Sequence, residues 1–303
     1  MAATRGPLLN PIKEEQESYP YRHVWGSAII QIVVLAAATA VIFVANSLLG
    51  IRLPPAIAPA FNTVLVLLPV GVWILLSVLP ERRVSQPRDR LVFVVIVTAL
   101  VASGVALPLL DGFLQPELWL PHESAINRIL GYTFTLGIIQ EVSKYIVLRY
   151  AVWRDHFRIR TDAVAYAFAA AVGFATVQSI NVVLANPSMS LDVVALRMFE
   201  HLAINIAASL FVSLGLAETR FDHPTPFFMT ISVALAALFA GIAQPIISGL
   251  ENATFSSQGS FARPLFGFAF ALAVAAVALV VNIFLFSSAE RRERERLRAE
   301  DAR

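Results

Sequence analysis

The chain has 303 residues, of which 57% are hydrophobic, 15% are charged and none is cysteine. Soluble domains carry charge on about a quarter of their residues. This composition, with a mean hydropathy of +0.71, therefore predicts an all-α protein that crosses a membrane several times. The absence of cysteine excludes disulfides, thiol catalysis and iron–sulfur ligation. The net charge of +2 comes largely from the loops, which indicates membrane orientation and no nucleic-acid partner.

Eight apolar segments are long enough to cross a hydrocarbon layer about 30 Å thick, which takes about 20 helical residues. Turn and breaker residues separate them, as in 53–55 and 186–188. The chain then divides into a polar N-terminal segment, 1–22, a transmembrane domain, 23–288, and a charged tail, 289–303, that we expect to continue the last helix. The predicted spans are 24–49, 59–80, 91–110, 125–150, 163–185, 193–217, 227–249 and 264–287.

Lysine and arginine are distributed unequally between the two alternate sets of connections. The set that includes both termini holds 17 of them, whereas the other set holds only Arg52 and Arg263. Cytoplasmic loops of membrane proteins are enriched in these residues. Both termini are therefore predicted to lie in the cytoplasm.

The fourth span carries a group of polar side chains. Gln140, Glu141 and Lys144 project from one side of the predicted helix, since they are three or four residues apart. Glu141 lies roughly 12 Å inside the membrane edge, and a carboxylate at that depth needs a partner, for which Lys144 is the nearest candidate. The pair is interpreted either as a structural ion pair or as a carboxylate placed to handle a proton.

The sixth span carries a polar stripe, with Arg197, His201 and Asn205 spaced i, i+4, i+8 and Glu200 beside His201. Among the five histidines, His201 alone falls inside a predicted span. It is either a hydrogen-bonding residue between helices or a catalytic group. Only Glu141 or Glu200 could accompany it as a ligand, so we predict no metal site and no other cofactor.

The fifth span is rich in alanine and contains Gly173, a composition that lets a neighbouring helix approach closely. Phe174 and Gln178 share one face of this helix. In the seventh span, Gln244 is a polar residue beside Pro245. These side chains are further candidates for a polar site within the membrane.

In chain order, the segments over about residues 136–250 resemble the PrsW family of intramembrane proteases, relatives of the CAAX prenyl proteases. That family is marked by Glu-Glu-x-x-Lys, by Asp with Tyr four residues later, by Gly-Phe-Ala-x-x-Glu-Asn, by a helix with His, and by a later helix with His-Gly and Asp. The corresponding residues here are Gln140-Glu141-Val142-Ser143-Lys144, Asp162 with Tyr166, Gly173-Phe174-Ala175-Thr176-Val177-Gln178, Arg197 with His201 and Asn205, and Ala240-Gly241 with Gln244.

The departures from this pattern affect the residues that would carry the chemistry. Gln140, Gln178 and Gln244 stand where the family has acidic residues, and Ala240 stands where it has His. The resemblance implies a Glu that activates water against a peptide carbonyl, with His and amide groups that stabilise the oxyanion. Glutamine keeps the shape and hydrogen-bonding reach of Glu but does not accept a proton at neutral pH.

Three functions are compatible with these residues. An active peptidase would use Glu141 as the base and Lys144 to orient it, with His201 and Asn205 at the scissile carbonyl of a transmembrane protein substrate. A degenerate member would bind transmembrane helices of a substrate or partner subunit without cleaving them. A transporter or proton path is less favoured, since the sequence lacks inverted repeats. We expect a PrsW-like protein of a bacterial cell membrane whose site is lined by Gln140, Phe174, Gln178, Arg197, Glu200 and Gln244.

Overall fold

A computed structural model describes residues 24–83, 87–153, 156–222, 227–252 and 263–301, and the regular structure in these ranges is entirely helical. The predicted N-terminal segment, 1–22, lies outside the described residues. The prediction of an all-α membrane bundle is confirmed. Its helices are α1 Val24–Leu48, α2 Ala58–Glu81, α3 Leu91–His122, α4 over 125–151, α5 Arg160–Ala185, α6 Leu191–Phe221, α7 Phe228–Asn252 and α8 Arg263–Asp301.

All of these helices except α4 are apolar and long enough to cross a membrane within the described ranges. Helix α4 is continuous over the predicted fourth span but carries Glu141 and Lys144, which lower its hydropathy. Helix α3 is interrupted at Gln115, whose φ of 45° is left-handed. Helix α8 continues to Asp301, so the charged tail extends the last helix, as predicted.

Helix α6 is the centre of the bundle, and nearly all of its side chains from Val194 to Ala217 are buried. It packs against α5, α7, α8, α1 and α2. The alanine-rich α5 lies between α6 and α3, and a Cβ atom at Gly173 would stand only 2.5 Å from the carbonyl oxygen of Val95. The small side chains of α5 therefore permit the close approach that its composition predicts.

Helices α4 and α7 approach even more closely, through glycines on both sides. A Cβ at Gly137 would lie 2.1 Å from the carbonyl oxygen of Ala237, and one at Gly241 would lie 2.3 Å from Thr133 Oγ1. Both glycines have ordinary helical backbone angles, so glycine is needed at these positions because no side chain would fit between the helices. This contact places the polar face of α4 against the centre of the bundle.

Asp162, the aspartate of the Asp–Tyr motif, joins the connections at the arginine-rich end of the bundle. Its carboxylate accepts from Arg88 Nε at 2.7 Å and from the backbone N–H groups of Arg158 and Ile159 at 2.9 and 3.1 Å. Arg88 also pairs with Glu81 at the end of α2. Asp162 thus caps α5 and ties it to the α2–α3 connection, which is a structural role.

The glycine contact between α4 and α7 predicts a stability difference. Gly137→Ala should lower stability by about 1–3 kcal/mol, because the new Cβ meets backbone that cannot move without shifting a helix. Gly71→Ala on α2 is the matched control, since nothing lies within 4 Å of the added atom. Thermal unfolding of the purified proteins in one detergent compares them. Equal midpoints for the two variants would contradict the close packing.

The distribution of arginine predicts the orientation of the bundle. The chain has no cysteine, so single cysteines can be introduced at exposed positions without a background. Glu123→Cys, between α3 and α4, should react with a membrane-impermeant maleimide added outside intact cells. Arg82→Cys, at the end of α2, should react only after the membrane is opened. The reverse pattern would overturn the assignment of both termini to the cytoplasm.

Candidate functional site

A buried polar cluster joins α4, α5 and α6 at the centre of the bundle. Lys144 Nζ lies 2.6 Å from Glu141 Oε1 and 3.0 Å from Asn205 Oδ1, and it stands 5.6 Å from the centre of the Phe174 ring. The side chains of Glu141 and Lys144 have no exposed surface. The predicted pairing of Glu141 with Lys144 is confirmed.

Asn205 connects the ion pair to α5. Its amide nitrogen donates to Gln178 Oε1 at 3.1 Å and to the carbonyl oxygen of His201 at 2.8 Å. An amide group has two N–H donors, so both are in use here. The Lys144 ammonium can only donate hydrogen bonds, so the Asn205 atom that faces it must be the amide oxygen. The amide nitrogen therefore faces Gln178. Asn205 would have to release a hydrogen bond before it could stabilise an oxyanion.

His201 faces α5 rather than the ion pair. Its Nδ1 lies 3.1 Å from Ser179 Oγ, and the Ser179 hydroxyl donates its hydrogen to the carbonyl oxygen of Ala175 at 2.8 Å. The hydroxyl has one hydrogen, so the direction of its contact with His201 depends on the histidine tautomer. Ser179 was not predicted as a site residue, because this contact depends on how α5 and α6 pack.

The remaining predicted residues lie around the cluster, and they differ in whether they form ion pairs or hydrogen bonds. Arg197 is partly exposed and lies 3.4 Å from Glu200, which is almost fully buried. Gln140 is buried, and its Nε2 has no hydrogen-bond partner within the described residues. Gln244 on α7 makes no hydrogen bond to the cluster in the described part of the chain. The structure thus brings together Glu141, Lys144, Asn205, Gln178 and Phe174, with His201 one turn away.

The fold and this cluster define a polytopic membrane protein with a polar site enclosed between its helices. A sequence model of the PrsW family, described as intramembrane metalloproteases, matches residues 86–280 of the chain. That match covers well over half of the chain, which therefore belongs to the PrsW family. It is also wider than the segment 136–250 that contains the motifs. No curated protein and no solved structure matches the chain.

The family description implies a metal ion, and the residues present do not fit one. The described ranges contain no group of three or more His, Cys, Asp or Glu side chains that could hold a metal. In the cluster, the one carboxylate is neutralised by Lys144, whose ammonium would repel a cation. Glutamine side chains at 140, 178 and 244 are neutral, and zinc sites use Cys, His and carboxylate ligands.

The buried ion pair predicts a large loss of stability when one partner is removed. Lys144→Met should destabilise the protein by about 3–5 kcal/mol, because it leaves the Glu141 carboxylate buried without a counter-charge. The double variant Glu141→Gln, Lys144→Met should recover much of that loss, since it removes both charges. Thermal unfolding in detergent compares the three proteins. Equal midpoints for Lys144→Met and the unmodified chain would contradict the pairing.

Proposed function

We propose that this PrsW-family protein binds a transmembrane segment of a protein substrate or partner beside its polar cluster, and that the cluster serves as a binding site rather than a hydrolytic centre. It acts in the cell membrane with both termini in the cytoplasm. Of the functions open to a PrsW-family protein, this is the one in which the transmembrane segment is bound without being cleaved. The arrangement of Glu141, Lys144 and Asn205 supports it most directly.

A general base must reach the water molecule from which it takes a proton. Glu141 has no exposed surface, and the ammonium that neutralises it lies 2.6 Å away. Lys144 is held in turn by Asn205. Freeing this carboxylate would leave a buried lysine without its counter-charge, at a cost of several kcal/mol. The arrangement therefore favours a structural ion pair over a base.

The outer part of the cluster offers the polar groups that a partner helix could reach. Gln178 is partly exposed, and it uses its amide oxygen to accept from Asn205. One turn further along α5, the exposed Asn181 donates to Asp111 of α3 at 2.8 Å. Amide and carboxylate groups on one helix face hydrogen-bond across helices within membranes. We therefore assign the contact with the partner helix to this face of α5 and the neighbouring part of α3.

A second candidate function is peptide hydrolysis with Glu141 as the base. The observation that favours it is the other carboxylate oxygen, Glu141 Oε2, which has no hydrogen-bond partner among the described residues. This oxygen is available to accept a proton from water if the helices separate. His201, one turn from Asn205 on α6, would then be the second group near the carbonyl. The two candidates differ in the effect of Glu141→Gln.

Binding is tested with the full chain in lipid nanodiscs and a panel of fluorescent transmembrane peptides. Gln178→Leu should weaken binding of the preferred peptide about tenfold, the value of one lost hydrogen bond of roughly 1.4 kcal/mol. Gln31→Leu is the matched control, because Gln31 is a buried amide on α1 that bonds to Pro69 instead of the cluster. Equal effects of both variants, or no binding at all, would overturn the proposed site.

Hydrolysis is tested on the same peptides by mass spectrometry of the products. The non-cleaving proposal expects no product above the level given by Glu141→Gln. The double variant Gln140→Glu, Gln178→Glu restores two carboxylates and is the positive test for a disabled site. Cleavage by the unmodified chain that Glu141→Gln abolishes would establish the peptidase instead. Cleavage that survives Glu141→Gln would overturn the non-cleaving proposal and exclude Glu141 as the base, with the buried Glu200 as the next carboxylate to change.

A further inference from the structure

A second polar region lies at the opposite end of the bundle from the linked arginines and carboxylates around Asp162. It is a cavity of about 1000 Å³ between the end of α1, the start of α2 and the connection from α5 to α6. Nine residues of α6 separate Asp192, in this cavity, from His201, which corresponds to roughly 13 Å of helix. The lining includes Phe43, Asn46, Arg52, Ser188, Ser190 and Asp192.

The cavity contains one cation and one anion that do not pair with each other. Arg52 is exposed and forms no ion pair or hydrogen bond with the residues that the structure describes. The Asp192 carboxylate accepts from Asn46 Nδ2 at 2.6 Å and from the Ser47 hydroxyl, both of which are neutral. It also accepts from the Ser190 hydroxyl and from the backbone N–H of Val193, which are neutral as well, so no cation among the described residues balances the Asp192 charge. Both charges are therefore available to a ligand of mixed charge.

The surroundings of the cavity are those of the boundary between lipid and water. It lies where several membrane helices end, which is the level of lipid headgroups. Next to it, the large side chains of Leu48, Leu49 and Ile51 are 64%, 68% and 61% exposed. Apolar side chains this exposed at the end of a membrane helix provide a surface for acyl chains. A ligand with a charged head and apolar tails fits both parts.

We propose that this cavity binds the headgroup of a zwitterionic phospholipid that carries a primary ammonium, as phosphatidylethanolamine does. Arg52 contacts the phosphodiester, assisted by the hydroxyl of Ser188, and the ammonium of the headgroup pairs with the negative charge of Asp192. The acyl chains lie along the exposed end of α1. A choline headgroup has no N–H donor for Asp192, and a glycerol headgroup has no positive charge, so both should bind more weakly.

Native mass spectrometry of the full chain tests the proposal, with ethanolamine, choline and glycerol phospholipids of identical acyl chains added in equal amounts. One ethanolamine lipid should be retained per chain. Arg52→Gln should reduce that retention about tenfold, because one charge-assisted hydrogen bond is lost. Arg82→Gln, which changes an exposed arginine at the other end of the bundle, is the matched control and should leave it unchanged.

A second variant blocks the cavity by size and leaves the charge of Arg52 in place. Ala58→Trp places a large side chain in the cavity and should block the lipid without altering Arg52 or Asp192. Retention of no lipid, equal retention of the three headgroups, or retention that survives both Arg52→Gln and Ala58→Trp would overturn the proposal. None of these results bears on the binding site beside Glu141, so failure here is distinguishable from failure there.

Discussion

The arrangement of the central helices depends on the ammonium of Lys144. Inside a membrane an unpaired charge costs several kcal/mol, so this group requires its partners in place. It finds the carboxylate of Glu141 on its own helix and the amide oxygen of Asn205 on α6. Asn205 can accept from Lys144 and donate to Gln178 only when α4, α5 and α6 have one mutual rotation. The ion pair therefore selects a single packing from the many that apolar helices allow.

Because Gln140 and Gln178 are uncharged, the cluster can be buried without water. With Glu141 at −1 and Lys144 at +1, the ionic pair is electrically neutral, and the neighbouring amides add hydrogen bonds without charge. Carboxylates at both 140 and 178 would bring the same cluster to −2. Two uncompensated charges at this depth would draw in water, protons or a cation. If these positions correspond to acidic residues of the family, as the resemblance implies, the amides keep the shape of those side chains without the charge that would draw in water.

The sequence predicts the parts of this site that lie within one helix, and the structure supplies the contacts between helices. Glu141 and Lys144 are three residues apart, so their pairing follows from helical geometry alone. Arg197 and His201 lie on another helix, and the sequence does not fix their position relative to Glu141; in the structure Arg197 pairs with Glu200 and His201 contacts Ser179. Long apolar helices carry little pattern that fixes their rotation. The predicted third span ends at residue 110, whereas the helical structure continues to His122 with a break at Gln115, and the sequence analysis predicted neither.

The central helix is fixed at three levels, which determines where the bundle can open. Its first turn is held to α1 through Asp192, its middle is held by Lys144 and Gln178, and Glu218 near its end pairs with Arg160 at 3.0 Å. Among the residues that the structure describes, α3 has no such charged connection to α6. It contains wide helical turns over Ala102–Ala106 and Pro108–Leu114, whereas α1, α2 and α4 have one such segment each. Access to the face of Gln178 would therefore come from movement of α3 against a stationary α6.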